Sequence, residues 1–545
     1  MMQVLIPMSG QGTRYQKAGY TQPKPLIPVS GRPIIERLLQ KIPMEWPVTF
    51  VLAENHRETE LPATLSRLRP LAQQIFTPIH SKGPSHAIKA AFSHLKSEDP
   101  VLVSYCDYGF KWDPWDFAEF VKNSKCQSAL LSYRGFHAHY LSPVTYAFSR
   151  MQGDRVVEVR EKGSFTNQRE NEFASAGGYY FDSVKTLAHA VEAQEKLNLS
   201  LNGELYTSLT VEALLRSRPD SDVRVYEIPA FYQWGTPEDL QIFEYWEKTF
   251  QCFAHTQNHT MSVNHVHMPM AGLGSRFKGH YNTPKPFLFI DDTPMYRMAL
   301  NSLPKGRSTS FVSLNSVQNN IHLAHEETVV YLNDTPPGQA FTVQAGLSLL
   351  PTQGDILVSA CDHSIVIEPN VWESFQKNPD CDAAIFTIQG FPGARRRPQA
   401  FAYVQIKMSE NSVNEKKNQS LVDKKSESVF HYPFSEVQSV SVKQPLSENP
   451  SQDHLLVGSF WFKNKSILEK ALSQLIIQNH RVNGELYLDS IFNIMIKNSL
   501  KVRIIPLDGY INWGDPDSLA EALYWKEVFL GHRLSKRQRL EGVSE

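Results

Sequence analysis

Cysteine is scarce in this 545-residue chain, with Cys106, Cys126, Cys252, Cys361 and Cys381 the whole complement and no Cys-x-x-Cys pair among them. Neither a disulfide framework nor a zinc-type spacing can be drawn from them, so reduced core thiols in a cytosolic, cytoplasmic protein are expected. Charge of one sign is missing too. The 55 Lys and Arg balance 56 Asp and Glu, a net charge of −1, which removes any global electrostatic draw toward nucleic acid or a membrane surface. No apolar run approaches the roughly 18 residues of a membrane span. The first residues enter an apolar strand without the basic n-region of a leader, again as expected of a cytosolic chain. Three phosphate-handling patterns are absent as well. There is no complete Gly-x-Gly-x-x-G turn and no Gly-Lys-Ser/Thr, and the strand ends CDYG and CDHS lack an Asp-x-Asp.

What the chain does have, it has twice. VLIPMSGQGTRYQKAGYTQPKPLIPVSGRPI from Val4 is answered by VHMPMAGLGSRFKGHYNTPKPFLFIDDTPM from Val266. YCDYGF at Tyr105 is answered by ACDHSI at Ala360, NGELY at Asn202 by NGELY at Asn483, and FYQWGTPEDL by YINWGDPDSL. Four collinear matches mark a tandem duplication. A 545-residue chain is also too long for one core. The expected organisation is domain 1 over 1–252, a linker over 253–263, domain 2 over 264–535, and a polar tail over 536–545. Between its aspartate and its Asn-Gly-Glu the second copy is longer by about 26 residues, and most of that is a polar, aperiodic stretch about 407–429. Such a stretch buries too little apolar surface to offset its ordering entropy, so a surface loop is expected.

Within each copy, buried-type strands (QVLIPM, VTFVLA, PVLVSYCD) alternate with segments of helical spacing (RPIIERLLQKI, SHAIKAAFSHL, DPWDFAEFVKN). That order predicts two tandem Rossmann-like α/β/α domains, each with a mostly parallel mixed sheet. Ligands of such sheets lie beyond the carboxyl ends of the strands. The Gly-x-Gly turn and the strand-end residues Asp107 and Asp362 both fall there. Exposed backbone N–H groups of the turn suit phosphate oxygens, and Arg14 offers a planar fork to a triphosphate. Lys24 and Lys285 are each held between prolines, which limits where the ammonium can go. As loop charges, Arg14 and Lys24 are expected to contribute little to stability.

The string G-x-G-[TS]-R, then K-P, a strand ending in Asp, then E-K and a W-G-T-P-like segment resembles the nucleotidyltransferases that make nucleotide-activated sugars. The resemblance is to glucose-1-phosphate thymidylyl- and cytidylyltransferases, in the subgroup of capsule and lipopolysaccharide clusters, and it covers nearly the whole of each copy. It implies that an NTP and a sugar 1-phosphate, or a similar small phosphorylated acceptor, give an NDP-activated product and pyrophosphate, with Mg²⁺ (or Mn²⁺), for surface polysaccharide synthesis. By the same resemblance Gly10, Gly12, Thr13 and Arg14, and Gly272, Gly274, Ser275 and Arg276, would hold the triphosphate. Lys24 and Lys285 would stabilise charge on the α-phosphate, and Asp107 and Asp362 would ligate the metal. Gly83 and Gly338 would lie against the nucleobase. Lys162 and Lys443 would take the acceptor phosphate, with Glu161, Tyr179, Glu204 and Glu485 around the acceptor.

Two departures carry expectations of their own. Gln233 and Asn512 stand where the family has a second metal-binding Asp, so that carboxylate is missing or comes from elsewhere, with Glu204 and Glu485 as candidates. In the second copy Val442 replaces Glu161 and Phe460 replaces Tyr179, while GARRRP around Arg395 adds cations that could clamp an anionic acceptor. The second copy is therefore expected either to use a different acceptor or to be a silent, nucleotide-binding structural or regulatory copy. A glycosyltransferase on a related architecture is the remaining reading.

Overall fold

The computed structural model describes residues 1–143, 145–255, 261–377, 379–407 and 434–531. The polar insertion expected about 407–429, Lys407 apart, and the tail 536–545 lie outside the described residues, as do residues 256–260 of the expected linker. The chain forms two compact units, Met1–Glu244 and Tyr245–Glu545.

In the first unit the strand Gln3–Met8 is apolar almost throughout because helices cover both faces of its sheet. Val4, Ile6 and Met8 point into one core with Ile35, Leu38, Leu61 and Phe117. Leu5 points the other way, among Ala87, Ile88, Val184 and Leu187. This alternation makes an α/β/α layering from a single strand's sequence. Val48–Ala53 and Val101–Ser104 flank the strand in parallel, Val4 lying opposite both Val48 and Leu102, and Gln73–Thr77 continues the parallel set. Beyond Val101–Ser104 the sheet turns mixed. Phe173–Phe181 pairs antiparallel to it and to Ser128–Tyr133, and Val223–Glu227 runs parallel to the latter. SHAIKAAFSHL is a helix Pro84–Ile88 that tightens to a 3-10 turn over Lys89–His94.

The second unit repeats this order strand for strand. Glu327–Leu332, Lys305–Leu314, Ser262–Pro269 and Ile356–Ser359 are parallel, followed by the antiparallel His454–Phe462, then Ala383–Ile388 and Val502–Pro506. Each unit also carries a two-stranded ribbon that positions the site. Tyr108–Lys111 pairs with Ala230–Gln233, and His363–Val366 with Gly509–Asn512. The ribbon brings the Trp-Gly string back to the strand-end aspartate, so that Trp234 N donates to Asp107 O at 2.9 Å and Trp513 N to Asp362 O at 2.8 Å. All five cysteines are free thiols.

Candidate active site

The Gly-x-Gly turn leaves the first strand and wraps its lysine. Gly12 and Gly274 have φ of 62° and 60°, in the left-handed region that favours glycine. A methyl group built there would lie 3.2 Å from Lys24 Cβ and 2.8 Å from Lys285 Cβ. Gly10 and Gly272 are exposed and face open space, as a loop must where a ligand approaches its backbone. Thr13 and Arg14 begin a short helix, Thr13–Lys17, and Ser275 and Arg276 a 3-10 turn, Ser275–Phe277, with all four side chains exposed. Beneath the helix the buried Tyr15 hydroxyl donates to Trp234 O at 2.8 Å, and lies 2.9 Å from Thr236 O, tying the turn to the Trp-Gly string.

The prolines aim each lysine inward. Lys24 Nζ donates to Asp107 Oδ2, and Lys285 Nζ to Asp362 Oδ2 at 2.5 Å and to Gly514 O at 3.3 Å. With Lys24 only 20% and Asp107 19% exposed, Lys24 is not the loop charge read from sequence. It is half of a sheltered ion pair, whereas Arg14 is exposed as expected. Burial alone would raise the Asp362 carboxyl, but the Lys285 ammonium and His363 hold it well below the usual carboxylate range.

The structure also supplies the oxygens that the departures left open. A methyl group on Gly235 would lie 3.5 Å from Asp107 Oδ2 and 3.6 Å from Asp239 Oδ2, so two carboxylates flank one small cradle. Asp239 is aimed there by Gln233 Nε2 at 2.5 Å and Thr236 Oγ1 at 2.7 Å. Gln233, a neutral amide, thus orients an acid six residues further along the chain. In the second unit a methyl on Gly514 would lie 3.4 Å from Asp362 Oδ2 and 3.0 Å from Asn512 Oδ1. A carboxylate and a neutral amide oxygen flank that cradle. These oxygen sets suit a hard divalent ion that keeps waters and phosphates as its other ligands, although no group of three or more His, Cys, Asp or Glu converges among the described residues.

Gly83 and Gly338 have φ of 90° and 130°, and a methyl on either would meet the backbone N of Leu205 at 2.7 Å or of Leu486 at 2.8 Å. A packing reason for glycine therefore stands beside the nucleobase role. The Leu205 backbone bonds both sides of Gly83, its N–H reaching Lys82 O at 2.8 Å and its C=O accepting from Ser85 N at 3.0 Å. The Asn-Gly of NGELY is the tip of a two-residue turn. Asn202 and Gly203 have φ of 52° and 79°, Asn483 and Gly484 of 50° and 82°, each closed by paired bonds between its flanking residues. These are the positive angles of a type I′ turn, which Asn-Gly favours.

Past that turn the acceptor-side residues assemble. Lys162 Nζ donates to Tyr206 Oη at 2.6 Å, and Tyr206 in turn bonds Glu204, within the field of Arg14. Glu161 is mostly buried, and Ser208 donates to its Oε2. Burial raises the Glu161 carboxyl, against Ser208 and Lys162, which lower it. Tyr179 does not line open space. It is 3% exposed, its hydroxyl lies 2.9 Å from Ser175 Oγ, and it backs Glu161. In the second unit Lys443 donates to Ala400 O and stands near Arg276, Glu485 and Asp489. Of the GARRRP cations, Arg396 pairs with Glu521, and Arg397 pairs with Asp515 at 2.8 Å. These two serve the fold rather than an open anion clamp.

Asp239 and Asp489 are the residues that motif reading passed over. Asp239 lies inside the quoted WGTPEDL, and Asp489 two residues past NGELY. Their signal is a paired difference between copies, legible only when two positions that touch are compared together.

Residues 4–164 match the family described as MobA-like NTP transferase domain. The mannose-1-phosphate guanyltransferase of Debaryomyces hansenii is 29% identical over 142 residues, which is 24% of this chain and 37% of that one. The chain thus spans little more than a third of the curated relative's length. Among solved structures, the nucleoside-diphosphate-sugar pyrophosphorylase of Vibrio cholerae aligns at 18% identity over 43% of this chain and 97% of its own, with a TM-score of 0.35. The inositol-1-phosphate CTP transferase of T. maritima aligns at 13% identity over 44% and 91%, with a TM-score of 0.35. No helix among the described residues is long and apolar enough to cross a membrane.

Proposed function

For a chain whose first unit carries a MobA-like NTP transferase domain, we propose nucleotidyl transfer from an NTP to a small phosphorylated acceptor, a sugar 1-phosphate in the first unit. The observation that carries this reading is the lysine held against a strand-end aspartate beneath an open Gly-x-Gly turn, built twice. An acceptor phosphate oxygen attacks the α-phosphorus, the bond from that phosphorus to the β-phosphate oxygen breaks, and pyrophosphate leaves. The nucleophile is already an anion near neutral pH, so no general base is required. Positioning and charge stabilisation do the catalysis.

Gly10, Gly12, Thr13 and Arg14 would receive the triphosphate, and Lys24 the charge growing on its α-phosphate, with Gly272, Gly274, Ser275, Arg276 and Lys285 in the same roles. Asp107 with Asp239, and Asp362 with Asn512, would hold Mg²⁺ or Mn²⁺, which supplies charge neutralisation across the phosphates when bound. Lys162, with Glu161 and Glu204 beside it, would seat the acceptor, and a role in surface polysaccharide synthesis would follow from a sugar acceptor.

The test is a screen of the four NTPs against hexose 1-phosphates, polyol phosphates and choline phosphate, following pyrophosphate in the full chain. Release with at least one pair, abolished by chelator and restored by Mg²⁺, is the expected result. Silence with every pair in the presence of both metals would end this reading.

A further inference from the structure

Compared column by column, the second copy has lost an acid: Val442 stands where Glu161 does. Compared by contact, it has moved one. In the first unit Glu161 directly follows the strand Arg155–Arg160 and is bonded by Ser208, on the helix Thr207–Ser217 that follows NGELY. In the second unit the strand-end position is Val442, packed against the apolar core, and the helix-side position is Asp489. At this pair of positions, Glu and Ser have become Val and Asp.

What surrounds the exchange is otherwise kept. Lys162 and Lys443 both sit in the left-handed region, with φ of 51° and 62°. This conformation is uncommon for a long side chain, and it persists only where the surroundings enforce it. Each ammonium lies over a tyrosine ring, 4.5 Å from the Tyr206 centroid and 5.0 Å from that of Tyr487. Each tyrosine bonds the glutamate of its own Asn-Gly-Glu turn. Each Arg of the Gly-x-Gly turn reaches the same tyrosine through its field. A decaying copy has no reason to keep a strained lysine, its ring and its acid in one place.

Resting on the nucleotidyl-transfer reading above, we propose that the second unit keeps a working acceptor pocket, in which Asp489 replaces Glu161 as the group that accepts a hydrogen bond from an acceptor hydroxyl while Lys443 takes the acceptor's phosphate. The acid enters from the helix side instead of the strand side, and it is one methylene shorter. The acceptor is therefore a hydroxyl-bearing phosphomonoester, of different hydroxyl placement from that of the first unit. Asp489 is bonded by its own backbone N–H and lies in the field of Lys443, and burial pushes its carboxyl up to about 6 against the pull of that lysine.

The experiment uses the full chain carrying Lys24→Ala, which leaves turnover to the second unit. Pyrophosphate release is followed with the same panel, choline phosphate being the probe without hydroxyls. Turnover is expected with a polyol or sugar phosphate and not with choline phosphate. Asp489→Asn should raise the KM for that acceptor at least tenfold and leave the KM for the NTP within twofold. The double change Val442→Glu with Asp489→Ser, which rebuilds the first unit's arrangement, should shift acceptor preference toward that of the first unit. Asp489→Ser alone stands in if the Asn variant melts early. An unchanged acceptor KM, or a preference for choline phosphate, overturns the proposal. So does silence of Lys24→Ala while Lys285→Ala remains active, an outcome that leaves nucleotidyl transfer standing on the first unit. Silence of both is the failure of that broader reading.

Discussion

Arg14 and Lys24 are cations of one loop with different physical standing. Arg14 is exposed, and its loss should not move the melting temperature. Lys24 neutralises an aspartate that is 19% exposed and has Cys106 and Tyr108 as chain neighbours. Removing one partner of such a pair leaves a sheltered charge unmatched, at about 1–3 kcal/mol. Without added metal, Lys24→Ala should therefore melt several degrees below the parent chain and Arg14→Ala should not, as calorimetry would show. Equal melts would mean that the pair adds nothing. Both variants, made in a Lys285→Ala chain, should slow pyrophosphate release a few hundredfold, the loss of about 3 kcal/mol of transition-state stabilisation.

At the scale of one strand, Ser262–Pro269 differs from its counterpart Gln3–Met8 by carrying two buried histidines. His265 and His267 lie two residues apart, hence on one face, and each lies 2.7 Å from the Ser310 hydroxyl. Burial holds His265 down to about 4 and His267 to about 3, the latter also repelled by His265. Both pKa values are depressed, so the unfolded chain takes up protons first. Stability present above the unfolded value of about 6.5 is lost as pH falls through 6 toward 4. His267 Nε2 has no partner in its buried position, and the first copy has Leu5 at the matching place. His267→Leu should be neutral or stabilising at pH 7 and should flatten the fall in melting temperature between pH 7 and 5. An unaltered slope would locate the acid sensitivity elsewhere, with His137 and His139 the next candidates. The strand itself was legible from its apolar run and its place before the glycine turn. Which element would carry histidine was not, because a buried His reads as polar until its serine partners on the next strand are known. The same limit hid Asp239 and Asp489. Motifs are read along one segment, whereas these acids are defined by a contact between two. The glycines were legible as necessary, but whether ligand or backbone required Gly83 depended on where Leu205 lay.

Taken whole, the chain presents two oxygen cradles of unequal charge, Asp107 with Asp239 and Asp362 with Asn512. Titration of Mn²⁺ with a non-hydrolysable NTP should find two ions per chain, the tighter assigned to the first unit because it offers two carboxylates. Asp107→Ala should leave one ion bound, and two ions remaining would place the first site elsewhere. The acid that changed sides between Glu161 and Asp489 bears on history as well as on chemistry. A single step from one arrangement to the other leaves either two carboxylates at these paired positions or none. The effect of either substitution therefore depends on whether the other is present. The same exchange of sides occurs in the Trp-Gly string, where the Thr236 hydroxyl bonds Asp239 at 2.7 Å in the first unit and the Ser518 hydroxyl bonds Asp515 at 2.9 Å in the second.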